Sequence, residues 1–108
     1  MRDRVGRRET LRVVVDAADP DVLDVRWAPA SESPSRKTFE YARVFLVGPG
    51  DTRRYLDIVD RHASASVRLP AELIAGEYAI EIDAYAGASW GDGRLDARGR
   101  SATFTIPR

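Results

Sequence analysis

The sequence predicts an all-β protein, a seven-stranded antiparallel β-sandwich, on three observations. The runs Val22–Pro29 and Glu77–Tyr85 alternate apolar and polar residues with a period of two, as a strand with one dry face must. Turn signals such as Asp19-Pro20 and Gly48-Pro49-Gly50-Asp51 cut the chain into short extended pieces. No helix-length stretch carries an apolar period of about 3.6 residues.

The first strand is Thr10–Asp16, ended by the Asp19-Pro20 turn, and the second is Val22–Ala28, ended by Pro29. A Ser-rich loop containing Pro34 follows over residues 31–37 and leads into the third strand, Phe39–Val47. Beyond the glycine-proline turn lie Arg53–Val59 and Ala63–Leu69, the latter with Ala65, Val67 and Leu69 on one face. Pro70–Gly76 is too short between its proline and glycine to hold more than one helical turn and reads as a connecting corner. In the sixth strand, Glu77–Tyr85, the residues Tyr78, Ile80, Ile82 and Ala84 point inward while Glu77, Ala79, Glu81 and Asp83 point outward. Ser101–Ile106 is the seventh, with Ala102, Phe104 and Ile106 inward, and Ala86–Arg100 before it is the longest loop.

A chain of 108 residues is one domain, able to bury a core without metals or disulfides. Residues 1–9 form a flexible basic arm carrying Arg2, Arg4, Arg7 and Arg8, and residues 10–108 form the sandwich. There is no cysteine, which removes thiolate chemistry and leaves the redox compartment open. The 17 basic and 17 acidic residues are interspersed, against nucleic acid or an anionic membrane as the main partner. No apolar run approaches the roughly 18 residues of a membrane span, and no secretory leader is evident. That places the chain in the cytoplasm if Met1 is native, and outside the cell if it is cut from a longer secreted protein. The absence of Asn excludes N-glycosylation, and its scarcity alongside Gln, Lys and Met fits codon bias better than thermophily.

Val25-Arg-Trp27-Ala-Pro29 and Leu69-Pro70 through Gly76-Glu-Tyr78-Ala-Ile-Glu-Ile-Asp-Ala84 carry a resemblance over Leu11 to Ile106. The chain resembles a fibronectin type III domain, an immunoglobulin-like β-sandwich. The resemblance implies that Trp27 anchors the core and that Tyr78 forms a tyrosine corner, its hydroxyl bonding back to upstream backbone. Pro70 and Leu73 depart from the family's usual spacing before that tyrosine, which keeps another immunoglobulin-like sandwich open. Such domains are mostly spacers and binding modules, so the resemblance implies recognition or architecture and no catalytic residue.

Catalytic and metal signatures fail on context. Gly87-Ala-Ser89-Trp-Gly91 fits the nucleophile-elbow pattern, but no helix follows, and His62, the single histidine, lies upstream. One histidine is too few for a transition-metal site. Asp16, Asp19 and Asp21 match no EF-hand spacing and read as turn residues, and the remaining carboxylates read as solvated surface. The chain is therefore expected not to be an enzyme, and to hold no cofactor and no metal.

Two features point to a binding surface. In the third strand, Tyr41, Phe45 and Val47 flank Arg43 on the face opposite Ala42, Val44 and Leu46. That is either an apolar interface or a stripe covered by neighbours such as Tyr55 and Tyr85. The Ala86–Arg100 loop carries Trp90, Asp92 and Arg94 among glycines, as recognition loops on rigid scaffolds do, unless Trp90 folds back to cap the core. The expected function is a non-catalytic protein-interaction or structural module, an accessory subunit or a domain of a larger assembly, with weak self-association left open. The alternative is a carbohydrate-binding or enzyme-appended module, with Trp90 and outward aromatics as a stacking platform for a glycan.

Overall fold

In the computed structural model, which describes residues 9–19, 21–29, 40–60, 63–85 and 95–106, the period-two runs become strands and no α-helix forms among these residues. The strands are β1 (Glu9–Asp19), β2 (Val22–Pro29), β3 (Tyr41–Val47), β4 (Arg53–Asp60), β5 (Ser64–Arg68), β6 (Gly76–Tyr85), β7 (Leu95–Arg100) and β8 (Phe104–Ile106). They pair in the order β4-β3-β6-β7-β1-β2-β5, and β8 adds to the first residues of β6. The two ends of this order, β4 and β5, touch, so the sheet is nearly barrel-shaped.

Two features differ from the sequence expectation. All pairs are antiparallel except one: Glu9 and Thr10 run parallel to Ala97 and Arg98, so the sheet is mixed, with eight strands among the described residues instead of seven antiparallel ones. The N-terminal end of β1 thus borders β7, while Leu11 onward pairs with β2. The second difference is β7, which occupies residues assigned to the Ala86–Arg100 loop. The expected strand from Ser101 shortens to Phe104–Ile106. Its three preceding residues are irregular: Ala102 is exposed, not inward, and buried Ser101 bridges the break. The Ser101 hydroxyl accepts a hydrogen bond from the Ile80 amide at 3.0 Å and donates to the Ala102 carbonyl at 2.8 Å.

One core fills the interior. Leu11 and Val13 of β1, Leu23, Val25 and Trp27 of β2, and Val67 of β5 meet Ala42, Val44 and Leu46 of β3 and Tyr78, Ile80, Ile82 and Ala84 of β6. Trp27 is buried as expected and lies opposite Val13. The inward positions of β7 are Ala97 and Gly99, both fully buried. Gly99 is required: a Cβ there would overlap the Leu11 carbonyl oxygen where β1 crosses.

The Tyr78 hydroxyl donates to the Ile74 carbonyl at 2.7 Å, the bond expected of a corner tyrosine, and its ring packs on Gly48. Gly48 opens the β3–β4 turn, where the short 3-10 segment Pro49–Asp51 holds Gly50 at φ 75° and Asp51 at φ 62°. Both values lie in the left-handed region, natural for glycine and tolerated by aspartate.

Candidate functional site

The strand register of β4, β3, β6 and β7 sets which side chains share the outer face. Across β3 and β6 the outward pairs are Tyr41 with Tyr85, Arg43 with Asp83, Phe45 with Glu81, and Val47 with Ala79. On one side β4 places Ile58 opposite Arg43, Tyr55 opposite Phe45 and Arg53 opposite Val47, and on the other β7 places Arg98 opposite Asp83 and Arg100 opposite Glu81. A bulge after Tyr55 turns Leu56 toward the core and keeps Ile58 outward.

Glu81 and Asp83 were expected to be solvated; they are 7 % and 2 % exposed. Arginines from two other strands cover them. Arg53 Nε donates to Glu81 at 2.6 Å, and its Nη2 donates to Asp83 at 2.7 Å, so one guanidinium clamps both acids. Arg98 grips Asp83 as a fork, with Nε and Nη2 at 2.7 and 2.9 Å. Arg100 reaches Glu81 at 3.4 Å and lies 3.8 Å from Asp51 at the rim. Burial pushes the Asp83 carboxyl up, but the hydrogen bonds and charges of Arg98 and Arg53 outweigh it and hold it below the usual carboxylate range. The hydrogen bonds that Arg98 donates to Asp83 raise Arg98, and burial lowers Arg53 but is outweighed by the two carboxylates, which raise it.

Aromatic rings complete the layer. Tyr41 and Tyr85 stack with centroids 4.7 Å apart, and the Arg43 guanidinium lies 5.9 and 5.4 Å from those two rings. Arg53 sits 3.7 Å over the Phe45 ring, which meets Tyr55 edge-on at 6.0 Å. Tyr55 and Ile58 are 54 % and 45 % exposed, so apolar surface remains open beside Arg43. Arg43 has rings beside it but no carboxylate partner among the described residues.

Of the residues singled out in the sequence, Tyr41, Arg43 and Phe45 lie together here, Tyr41 and Phe45 half-buried and Arg43 exposed. Val47 is the correction: it shares this face but is 5 % exposed and offers no surface to a partner. Trp90, Asp92 and Arg94 lie outside the described residues, as does the Gly87–Gly91 motif. Sequence reasoning missed Arg53, Ile58, Glu81 and Asp83, and it took Arg98 and Arg100 as part of the Ala86–Arg100 recognition loop instead of a strand. One signal was present, since Glu81-Ile-Asp83 and Arg98-Gly-Arg100 carry opposite charges at the same two-residue spacing. The sequence matches no protein-family model and no curated protein.

Proposed function

We propose that the chain is a non-catalytic protein-interaction module, a domain or accessory subunit of a larger assembly, that binds through the outer face of β4, β3, β6 and β7. The observation that carries this reading is open apolar surface on a fixed floor: Tyr55 and Ile58 stand half-exposed over strands clamped by the Arg53, Arg98 and Arg100 ion pairs. Aromatic side chains, and arginines already pinned by ion pairs, lose little conformational entropy on binding, and both residue types are favoured anchors of interfaces. Asp83 itself is not poised to exchange protons, because two arginines hold its carboxyl below the usual range; on this reading it serves as part of the floor.

An immunoglobulin-like sandwich of the fibronectin type III kind fits this reading. Its two layers would be β1-β2-β5 and β4-β3-β6-β7, with the start of β1 crossing from one to the other. The Tyr78 hydrogen bond and buried Trp27 support the same assignment.

Affinity capture from lysate of the source organism tests the surface, comparing the wild type with a Tyr55→Ala/Ile58→Glu variant and with Val14→Glu, an exposed β1 position away from this face. The expected result is one retained partner, lost only with the Tyr55/Ile58 variant. Loss with Val14→Glu alone would move the interface to the other side of the molecule.

A further inference from the structure

The outer face carries an imbalance of charge at its centre. Four guanidinium groups, those of Arg43, Arg53, Arg98 and Arg100, stand over strand positions that supply two carboxylates, Glu81 and Asp83. Among the described residues the other acids near this face lie toward its edges: Asp51 beyond Arg100, Asp57 and Asp60 on β4, and Glu77 at the start of β6. Glu81 and Asp83 are nearly inaccessible, whereas the arginine side chains covering them keep 36 to 47 % of their surface exposed. A molecule approaching the face therefore meets guanidinium edges and aromatic rings, with the compensating negative charge beneath them.

Arg43 concentrates this effect. Its strand neighbours across the sheet are Ile58 and Asp83, and Asp83 already accepts from Arg53 and Arg98. The Arg43 guanidinium lies beside the stacked Tyr41 and Tyr85 rings, 5.9 and 5.4 Å from their centroids, and among the described residues no carboxylate accepts from its N–H groups. Next to it lies the open apolar surface of Ile58 and Tyr55.

Resting on the interaction-module reading above, we propose that this face binds an acidic polypeptide segment: a carboxylate side chain takes the N–H groups of Arg43, and an adjacent apolar side chain covers Ile58 and Tyr55. Charge complementarity selects this occupant. A second copy of the same face would set two arginine layers against each other, with both pairs of carboxylates buried behind them. A neutral apolar partner would cover Arg43 without replacing the water on its N–H groups, and an unpaired buried guanidinium is costly. A carboxylate forms the bidentate, charge-assisted bonds for which the planar fork is suited.

The test is a selection of random peptides displayed on phage against the whole chain, followed by titration of the enriched peptides into wild type, Arg43→Gln and Ile58→Glu. Both positions are exposed, and circular dichroism confirms that each variant is folded. The expected winners carry two or more Asp or Glu residues around an aromatic or aliphatic one. They weaken as salt rises, and they lose about tenfold or more in affinity with Arg43→Gln. Neutral or basic winners that are lost with Ile58→Glu but not with Arg43→Gln would overturn the acidic partner and leave the interaction face standing. Winners indifferent to both substitutions, or no enrichment over the bare support, would overturn both. A labelled oligothymidine is titrated in parallel; if it binds more tightly than the best peptide and is released by Arg43→Gln, the anion recognised is a nucleic-acid phosphate and the polypeptide assignment falls.

Discussion

Val44 and Ile82 face each other on the inner side of β3 and β6; one residue along each strand, Arg43 and Asp83 face each other on the outer side. Val44, Ile82 and Asp83 are all at most 2 % exposed, yet water is excluded by different means. Inside, apolar area and dispersion suffice, and these are indifferent to protonation. Outside, a carboxylate stays buried only because arginines from β4 and β7 satisfy it, so that layer depends on charge and geometry. The contrast teaches that burial at the surface of a sheet can be built from long charged side chains laid over short ones, with their heads left near solvent.

The largest effect should come from the inner face. Trp27→Ala or Ile82→Ala is expected to cost about 2 to 5 kcal/mol in urea unfolding, insensitive to salt. A loss under about 1 kcal/mol would mean that the interior is loosely packed and that the contrast between faces is false.

Arg53→Met strips the clamp shared by Glu81 and Asp83 while keeping an apolar stem on Phe45. The expected loss is about 1 to 2 kcal/mol, below that of a fully buried pair because the guanidinium is partly exposed and screened. Its pH dependence sharpens the comparison. Asp83 has a native pKa below its unfolded one, so its stabilisation is present above the unfolded value of about 3.9 and is lost as pH falls from there through the native pKa. Unfolding measured from pH 6 to pH 2 should show this acid limb in the wild type and in Ile82→Val, and a reduced limb in Asp83→Asn. An equal limb in all three would remove Asp83 as its origin.

Tyr78→Phe deletes one hydrogen bond to Ile74 and leaves the ring on Gly48, so about 1 kcal/mol should be lost. Thermal melts showing no change would mean that water replaces the bond freely. At the small end, Tyr55→Ala should shift stability by less than about 0.5 kcal/mol, since the ring is more than half exposed, while abolishing partner capture. A large loss of stability would instead make Tyr55 part of the floor on which the face rests.

The inner face was legible in the sequence because its rule is local: Ala42, Val44 and Leu46, like Ile80, Ile82 and Ala84, repeat every second residue and all are buried. The corner bond of Tyr78 and the burial of Trp27 were expectations of the fibronectin type III resemblance rather than of any periodicity, and both the bond and the burial are present. The outer face was only half legible. Tyr41, Arg43 and Phe45 stood out as an apolar stripe, but Glu81 and Asp83 looked like ordinary solvated acids. Their partners Arg53 and Arg98 lie 28 residues from Glu81 and 15 from Asp83 along the chain, and no periodicity reports such pairing. β7 was missed for a steric reason. Its inward residues are Ala97 and Gly99, kept small where β1 crosses, so Leu95–Arg100 lacks the apolar alternation that marks a strand. The single parallel pair was equally hidden, because the end of β1 that makes it consists of Glu9 and Thr10 and looks like the edge of a basic arm.

That parallel pair decides how the chain would carry tension. Thr10 sits level with Arg98, itself level with Asp83, whereas Ile106 is level with Gly76 on the same continuous strand, roughly 24 Å further along. Chain attached before Glu9 and after Ile106 would leave from opposite ends of the molecule. Pulled apart, β1 would slide lengthwise against β7 and β2, loading many hydrogen bonds together rather than unzipping them in turn, a geometry that makes forced unfolding slow.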